Sequence, residues 1–185
     1  MANFFSDTSA TFNEPLEMLC SCHDRMRQQL ATLERLRRYL PVNGADAEAQ
    51  KAARNIMKYF DSAAPNHHAD EEESLFPRLA EAHADARSVI ETLKKDHRTL
   101  DALWDHLRPD LVGIAAGRRS VLTPDLVRRI REAYTSHIER EETELLPLAA
   151  RYLDASTLKT IGAEMAARRG VSSSPAQPLR LGLAA

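Results

Sequence analysis

The chain has 185 residues, a formal charge of −2 and a pI near 6.4. That is enough for one domain with a sizeable core, without the basic excess of a nucleic-acid or anionic-membrane binder. Hydrophobic residues make up 43 % and aromatics only 5 %, with Ala, Leu, Arg and Glu dominant, which is the composition of a helical bundle.

Helix one is expected over residues 15–39. Pro15 suits a first turn, and Leu40-Pro41-Val42-Asn43-Gly44 should stop it. Leu16, Leu19, Met26, Leu30 and Leu33 recur at threes and fours, and His23 falls in that series. Cys20 and Cys22, the only cysteines, point to different sides of this helix, which disfavours a disulfide between them. Helix two is expected over 45–82, kinked at Pro65 and irregular again at Pro77. Its face reads Ala53, Ile56, Phe60, Ala64, His67, Glu71, Leu75 and Leu79. Helix three runs from about residue 85 to before Gly117, with Ile90, Leu93, His97, Leu100, Trp104, Leu107 and Leu111 on its face. Helix four follows Thr123-Pro124, read as a cap and a first-turn proline. Its face is Leu126, Ile130, Ala133, His137, Glu141, Leu145, Leu148 and Tyr152. A short fifth helix is expected over 156–168, stopped by Gly170. The domain is read as residues 1–170, and 171–185 as a disordered tail. Four long helices with short connections predict an all-α antiparallel bundle.

No apolar run approaches the ~20 residues needed to cross a bilayer. The start, Met-Ala-Asn-Phe-Phe-Ser-Asp, lacks the basic and apolar regions of a signal peptide. A cytoplasmic protein with reduced thiols is the expectation.

The chain repeats itself. Residues 67–77 read His-His-Ala-Asp-Glu-Glu-Glu-Ser-Leu-Phe-Pro, and 137–147 read His-Ile-Glu-Arg-Glu-Glu-Thr-Glu-Leu-Leu-Pro. His67 aligns with His137, Glu71 with Glu141, Leu75 with Leu145 and Pro77 with Pro147. A histidine four residues before a glutamate stacks both on one helix face. Two such pairs can bring imidazoles and carboxylates together, a donor mixture that suits iron, manganese or zinc.

Each long helix thus carries one histidine where its periodicity demands a core residue: His23, His67, His97 and His137. A single histidine in such a place is usually an ordinary core residue bonded to a neighbour. Four of them with two buried carboxylates would be costly without a cation. His68, His83 and His106 fall off the faces and read as surface or outer groups. His68 with Glu72 has the same spacing as His67 with Glu71, and the repeat alignment selects the latter pair. Glu72, Glu73, Glu139, Glu142 and Glu144 read as solvated or as partners of the ligands. Six donors exceed what a four-coordinate zinc takes. A two-metal site fits better, with two histidines per metal, both glutamates bridging and positions left open. Tyr134 reads as a core tyrosine, and Asp101 as a partner for a ligand imidazole.

The His-x-x-x-Glu-Glu pairs followed by Leu-Phe-Pro or Leu-Leu-Pro resemble the hemerythrin-like HHE cation-binding domain family, over about residues 12–152. The resemblance implies an up-down-up-down four-helix bundle around two iron ions, a non-heme di-iron centre with an oxo or hydroxo bridge available to it. Carried over by position, the ligands are His23, His67, Glu71, His97, His137 and Glu141. The oxygen-carrying members have a second histidine one turn from the helix-three ligand, where this chain has Leu93 and Asp101. They also have an aspartate five residues after the last histidine, where this chain has Glu141 at four. Three roles follow: a di-iron module that binds dioxygen or nitric oxide or senses iron and redox state, an enzyme turning over peroxide or nitric oxide, or a bundle whose metal is structural. A small diatomic or peroxide is the expected partner, with no nucleic acid and no membrane. Lacking a fifth histidine, the reduced protein is expected to autoxidise in air.

Overall fold

The computed structural model describes residues 11–171, so the expected tail beyond Val171 lies outside the described residues. All regular structure among the described residues is helical, and no helix there is long and apolar enough to cross a membrane. Helix α1 spans Pro15–Asn43, four residues beyond the expected end. Pro41 sits inside the last turn and removes one donor only. The stop is Gly44, at φ +69°, whose N–H bonds the Leu40 carbonyl at 2.8 Å.

The second passage is broken more than expected. It comprises α2 (Ala47–Phe60), α3 (Ala63–Ala69), a π-helical turn π1 (Asp70–Leu75) and α4 (Phe76–Ala82). Asp46 caps α2 by accepting the Ala49 N–H at 2.9 Å. Pro65 has no N–H for the Asp61 carbonyl, and its ring crowds that carbonyl. The chain answers with a turn at Asp61-Ser62 in place of a kinked continuous helix. Helix α5 spans Ala86–Ala115. The fourth passage is α6 (Pro124–Arg140), π2 (Glu141–Leu145) and α7 (Leu146–Tyr152). Thr123 holds the N-cap position but makes no side-chain capping bond, contrary to expectation. Helix α8 spans Ala155–Arg168, capped by Asp154, which accepts the Thr157 N–H at 2.7 Å.

The two π turns fall on the two copies of the repeat. In each, a backbone N–H reaches back five residues: Phe76 to Glu71 and Leu146 to Glu141. The next residue is Pro77 or Pro147, which has no N–H with which to resume the four-residue ladder at once. The repeat's closing Leu-Phe-Pro and Leu-Leu-Pro therefore mark where a wider turn ends. Such turns are rare, and they cluster at functional sites.

The apolar residues form two clusters. One contains Met26, Leu30, Leu33, Phe60, Ala64, Leu100, Leu107, Ile130 and Tyr134. The other contains Leu19, Leu75, Phe76, Leu79, Leu93, Leu145, Ile161 and Met165. On every long passage the clusters are separated by the same kind of residue. His23 lies between Leu19 and Met26, His67 and Glu71 between Ala64 and Leu75, and His97 between Leu93 and Leu100. His137 and Glu141 lie between Tyr134 and Leu145. The core is an apolar stack interrupted by one polar layer.

Helix α8 closes the second cluster and grips π1. Asp70, fully buried, accepts from Arg168 and from Arg169, the latter at 2.6 Å. Arg168 also reaches Glu73 at 2.9 Å, and Arg78 forks onto Glu164 at 2.7 and 3.0 Å. The segment at Phe12 crosses α8 so closely that a Cβ on Gly162 would stand 1.8 Å from the Phe12 carbonyl oxygen.

Candidate metal centre

The six residues singled out in the sequence all meet in the polar layer. His23, His67, Glu71 and Glu141 are each completely buried, and His97 and His137 are exposed by 2 % or less. One quartet, His23, His67, Glu71 and Glu141, offers ligand atoms all within 4.8 Å of one another, and so does a second, Glu71, His97, His137 and Glu141. Both glutamates belong to both quartets. Glu141 Oε2 faces His23 Nε2 at 2.7 Å and His67 Nε2 at 3.8 Å. Its Oε1 faces His137 Nε2 at 2.7 Å and His97 Nε2 at 3.9 Å. Glu71 spans the same gap, with Oε1 3.6 Å from His67 Nε2 and Oε2 3.2 Å from His97 Nε2.

These approaches do not amount to hydrogen bonds. All four carboxylate oxygens of Glu71 and Glu141 lack a hydrogen-bond partner, as do the Nε2 atoms of His23, His67, His97 and His137. Among the described residues, every orphaned buried side-chain atom except Gln29 Oε1 belongs to these six residues or to His68. Buried polar groups are ordinarily satisfied, so eight donors converging without partners is what a pair of cations would repair. The donor set fits iron: imidazole nitrogens with carboxylate oxygens, neither the all-thiolate nor the all-oxygen kind.

Two of the four outer nitrogens, those of His23 and His97, are held by carboxylates. His23 donates from Nδ1 to Glu142 at 3.0 Å, and His97 donates from Nδ1 to Glu72 at 2.6 Å. Asp96, paired with Arg140, lies 3.7 Å from His137 Nδ1. A proton fixed on Nδ1 leaves the Nε2 lone pair directed inward, which is how ligand histidines are oriented. Glu72 and Glu142 occupy the same place in the two copies of the repeat, so each glutamate after one shared by both quartets steadies a histidine on a neighbouring helix. Glu142 also accepts from Arg27 at 2.6 Å, and Arg27, with His23, holds its carboxyl below the usual range against the opposing effect of burial.

Without a cation the cluster behaves as interlocked charges. Burial disfavours the His97 imidazolium, but Glu141, Glu71 and Glu72 outweigh it and raise the pKa to about 10. For His67, burial is likewise outweighed by Glu71, Cys22 and Glu141, and the value rises. Glu141 is held well below the carboxylate range, because the four histidines overcome the cost of burying it.

The model of the hemerythrin HHE cation-binding domain matches residues 14–149. The chain belongs to that family. A relative from Haemophilus influenzae, described as an uncharacterized protein, is 34 % identical over 162 residues, covering 88 % of this chain and 94 % of that one.

Two features of this hemerythrin-like site differ from the expectations. His68 is not a surface residue: it is 9 % exposed, and its ring stacks on His97 with centroids 4.0 Å apart. Asp101 is exposed and lies 3.7 Å from His68 Nδ1, so it faces His68 and not the His97 imidazole. Tyr134 packs on Phe60 at 5.3 Å within the first apolar cluster, in keeping with a core tyrosine. Burial raises its phenol pKa, which suits no proton transfer near neutrality. The signal for His68 was present in the sequence. From His67 the face runs 67, 71, 75, 79, a strict spacing of four that drifts around a regular helix and is restored by a wider turn. A register that winds this way brings an adjacent residue inward. His83 and His106 stay outside the cluster, with His83 stacked on Tyr152 at 3.9 Å.

Proposed function

We propose that this chain is a non-heme di-iron binding protein that interacts with dioxygen, nitric oxide or peroxide, or senses iron and redox state, in the cytoplasm. The fold is read as an antiparallel up-down-up-down four-helix bundle with α8 as a short fifth helix. The observation that carries the reading is the set of eight unpartnered inward donors, four imidazole nitrogens and four carboxylate oxygens, in two overlapping quartets. His23 and His67 would hold one iron, His97 and His137 the other, with Glu71 and Glu141 between them. Iron in this place supplies a redox couple with room for an exogenous small molecule. The residues supply inward Nε2 donors, those of His23 and His97 oriented from behind by Glu142 and Glu72. They also supply two apolar clusters that keep bulk water from the layer.

A second reading, an enzyme that turns over peroxide or nitric oxide, draws on Asp101. This exposed carboxylate faces the one histidine of the cluster that approaches the surface, a route for protons between solvent and the layer. Metal analysis with optical spectra tests both readings. Anaerobic ferrous loading should give close to two irons per chain, and the spectrum should change on adding dioxygen, nitric oxide or peroxide. One zinc per chain with no iron uptake would overturn the di-iron reading. Repeated consumption of peroxide or nitric oxide over many equivalents would favour the enzyme.

A further inference from the structure

The two sides of π1 meet different neighbours. Glu71 and Glu72 face the metal layer: Glu71 Oε2 stands 3.2 Å from His97 Nε2, and Glu72 accepts from His97 Nδ1 at 2.6 Å. Asp70, Glu73 and Ser74 face α8. Arg169 forks onto both oxygens of Asp70, at 3.1 and 2.6 Å. Arg168 donates to the same carboxylate, to Glu73 at 2.9 Å and to the Ser74 hydroxyl at 3.4 Å. Asp70 and Ser74 are completely buried. A buried ion pair adds little net stability, because desolvation offsets the attraction. It does fix position, since a forked arginine accepts few placements of a carboxylate. A π turn is a rare departure from the four-residue ladder, and rewinding it as regular helix would change the angle at which Glu71 and Glu72 leave the axis. In π2 the place of Asp70 is taken by Arg140, which pairs with Asp96 of α5, so the α8 arginines act on one copy of the repeat.

We propose that Asp70 is a positioning residue of the metal centre. Clamped by Arg168 and Arg169, it holds π1 in the wide turn that aims Glu71 into the layer and Glu72 at His97. This rests on the metal reading of the layer and deepens it. Such coupling runs both ways, so metal in the layer tightens the seat of α8 as α8 tightens the metal.

The alternative is an ion pair that only docks α8. Asp70→Asn removes the buried charge, and Arg168→Gln with Arg169→Gln removes the clamp. Leu107→Ala lowers stability from the first apolar cluster, which does not include π1. Ferrous affinity is measured anaerobically by chelator competition, and amide hydrogen exchange is followed with and without ferrous iron. Asp70→Asn and the double arginine variant should each bind iron about tenfold more weakly, and combining them should cost no more than either alone. Leu107→Ala should melt earlier and bind iron as the unsubstituted protein does. Iron should protect the α8 amides of the unsubstituted protein more than those of α2, and Asp70→Asn should lose that excess. Unchanged affinity in Asp70→Asn, or an equal loss in Leu107→Ala, overturns the proposal. If Asp70→Asn does not fold by circular dichroism, Arg169→Lys decides in its place, since it keeps the charge and loses the fork. Affinity and α8 protection equal to those of the unsubstituted protein overturn the proposal there too. An unsubstituted protein that takes up no metal sinks the metal reading itself, and the proposal with it, before any variant is compared.

Discussion

Glu72 and Glu142 carry a consequence out of proportion to their place beside Glu71 and Glu141. Each fixes the tautomer and angle of a histidine on another helix, His97 or His23. Replacing either with alanine should lower metal affinity about 10- to 100-fold, measured by chelator competition, while Glu144→Ala, on the exposed side of π2, should leave it unchanged. Equal effects from all three would mean that the loss is general electrostatics and not orientation. The sequence named the inner residues because a histidine at a core position next to a glutamate one turn on is unusual. It did not assign Glu72 and Glu142 to particular histidines, because their partners come from other helices and spacing along one helix cannot report them. His67→Ala should abolish the site. By the repeat alignment, His68→Ala should largely leave it, and metal analysis of the two variants checks the pair. The reduced, iron-loaded protein is expected to autoxidise in air, which stopped-flow mixing with air-saturated buffer checks.

At the scale of elements, periodicity located all four long passages and α8, and Pro65 and Pro77 marked where the second passage is interrupted without giving the form of the interruptions. The break at Asp61-Ser62 and the π turns depend on where prolines remove donors, and helix faces drawn at threes and fours pass over both. Helix docking can be tested at two places. Glu34 on α1 has its carboxyl held at about 2, against an ordinary 4.5, by Arg37, with Arg38 adding to it. Arg131 of α6 stands 3.9 Å away. A folded-state pKa below the unfolded one gives stability that is complete above about pH 4.5 and lost as pH falls toward 2. Glu34→Gln should therefore flatten the change in urea midpoint between pH 5 and pH 2.5. A variant with the same pH slope as the parent would show that the pair contributes nothing across this range. Gly162 offers a steric test. Alanine is the better helix former, yet its Cβ would collide with the Phe12 carbonyl, and backbone cannot swing aside as a side-chain end can. Gly162→Ala should cost about 1–3 kcal/mol by overpacking, read as a lower melting temperature. A gain in stability would mean that the segment at Phe12 lifts off α8 freely.

For the whole molecule, the polar layer divides the core but does not hold it together alone. Leucines above and below the layer are fully buried, each contributing on the order of 1.5–3 kcal/mol. The metal-free chain should thus remain helical by circular dichroism. Metal should still raise the melting temperature, since binding only to the folded form adds about 2.7 kcal/mol at a hundred times the dissociation constant. A random-coil spectrum for the metal-free chain would place folding in the hands of the ion, as in a small zinc module.

The internal repeat gives the layer an approximate twofold symmetry, with the α3–π1 and α6–π2 passages as the related halves. His67 maps to His137, Glu71 to Glu141 and Glu72 to Glu142. His68, however, maps to Ile138, an apolar residue exposed by only 1 %. A strictly duplicated centre would hold two equivalent ions, with nothing to decide which one loses or gains an electron first. One histidine-to-isoleucine difference makes the two halves unequal, since His68 stacks on His97 where its counterpart is aliphatic. Under the di-iron reading, Mössbauer spectra of the iron-loaded protein should therefore resolve two iron environments.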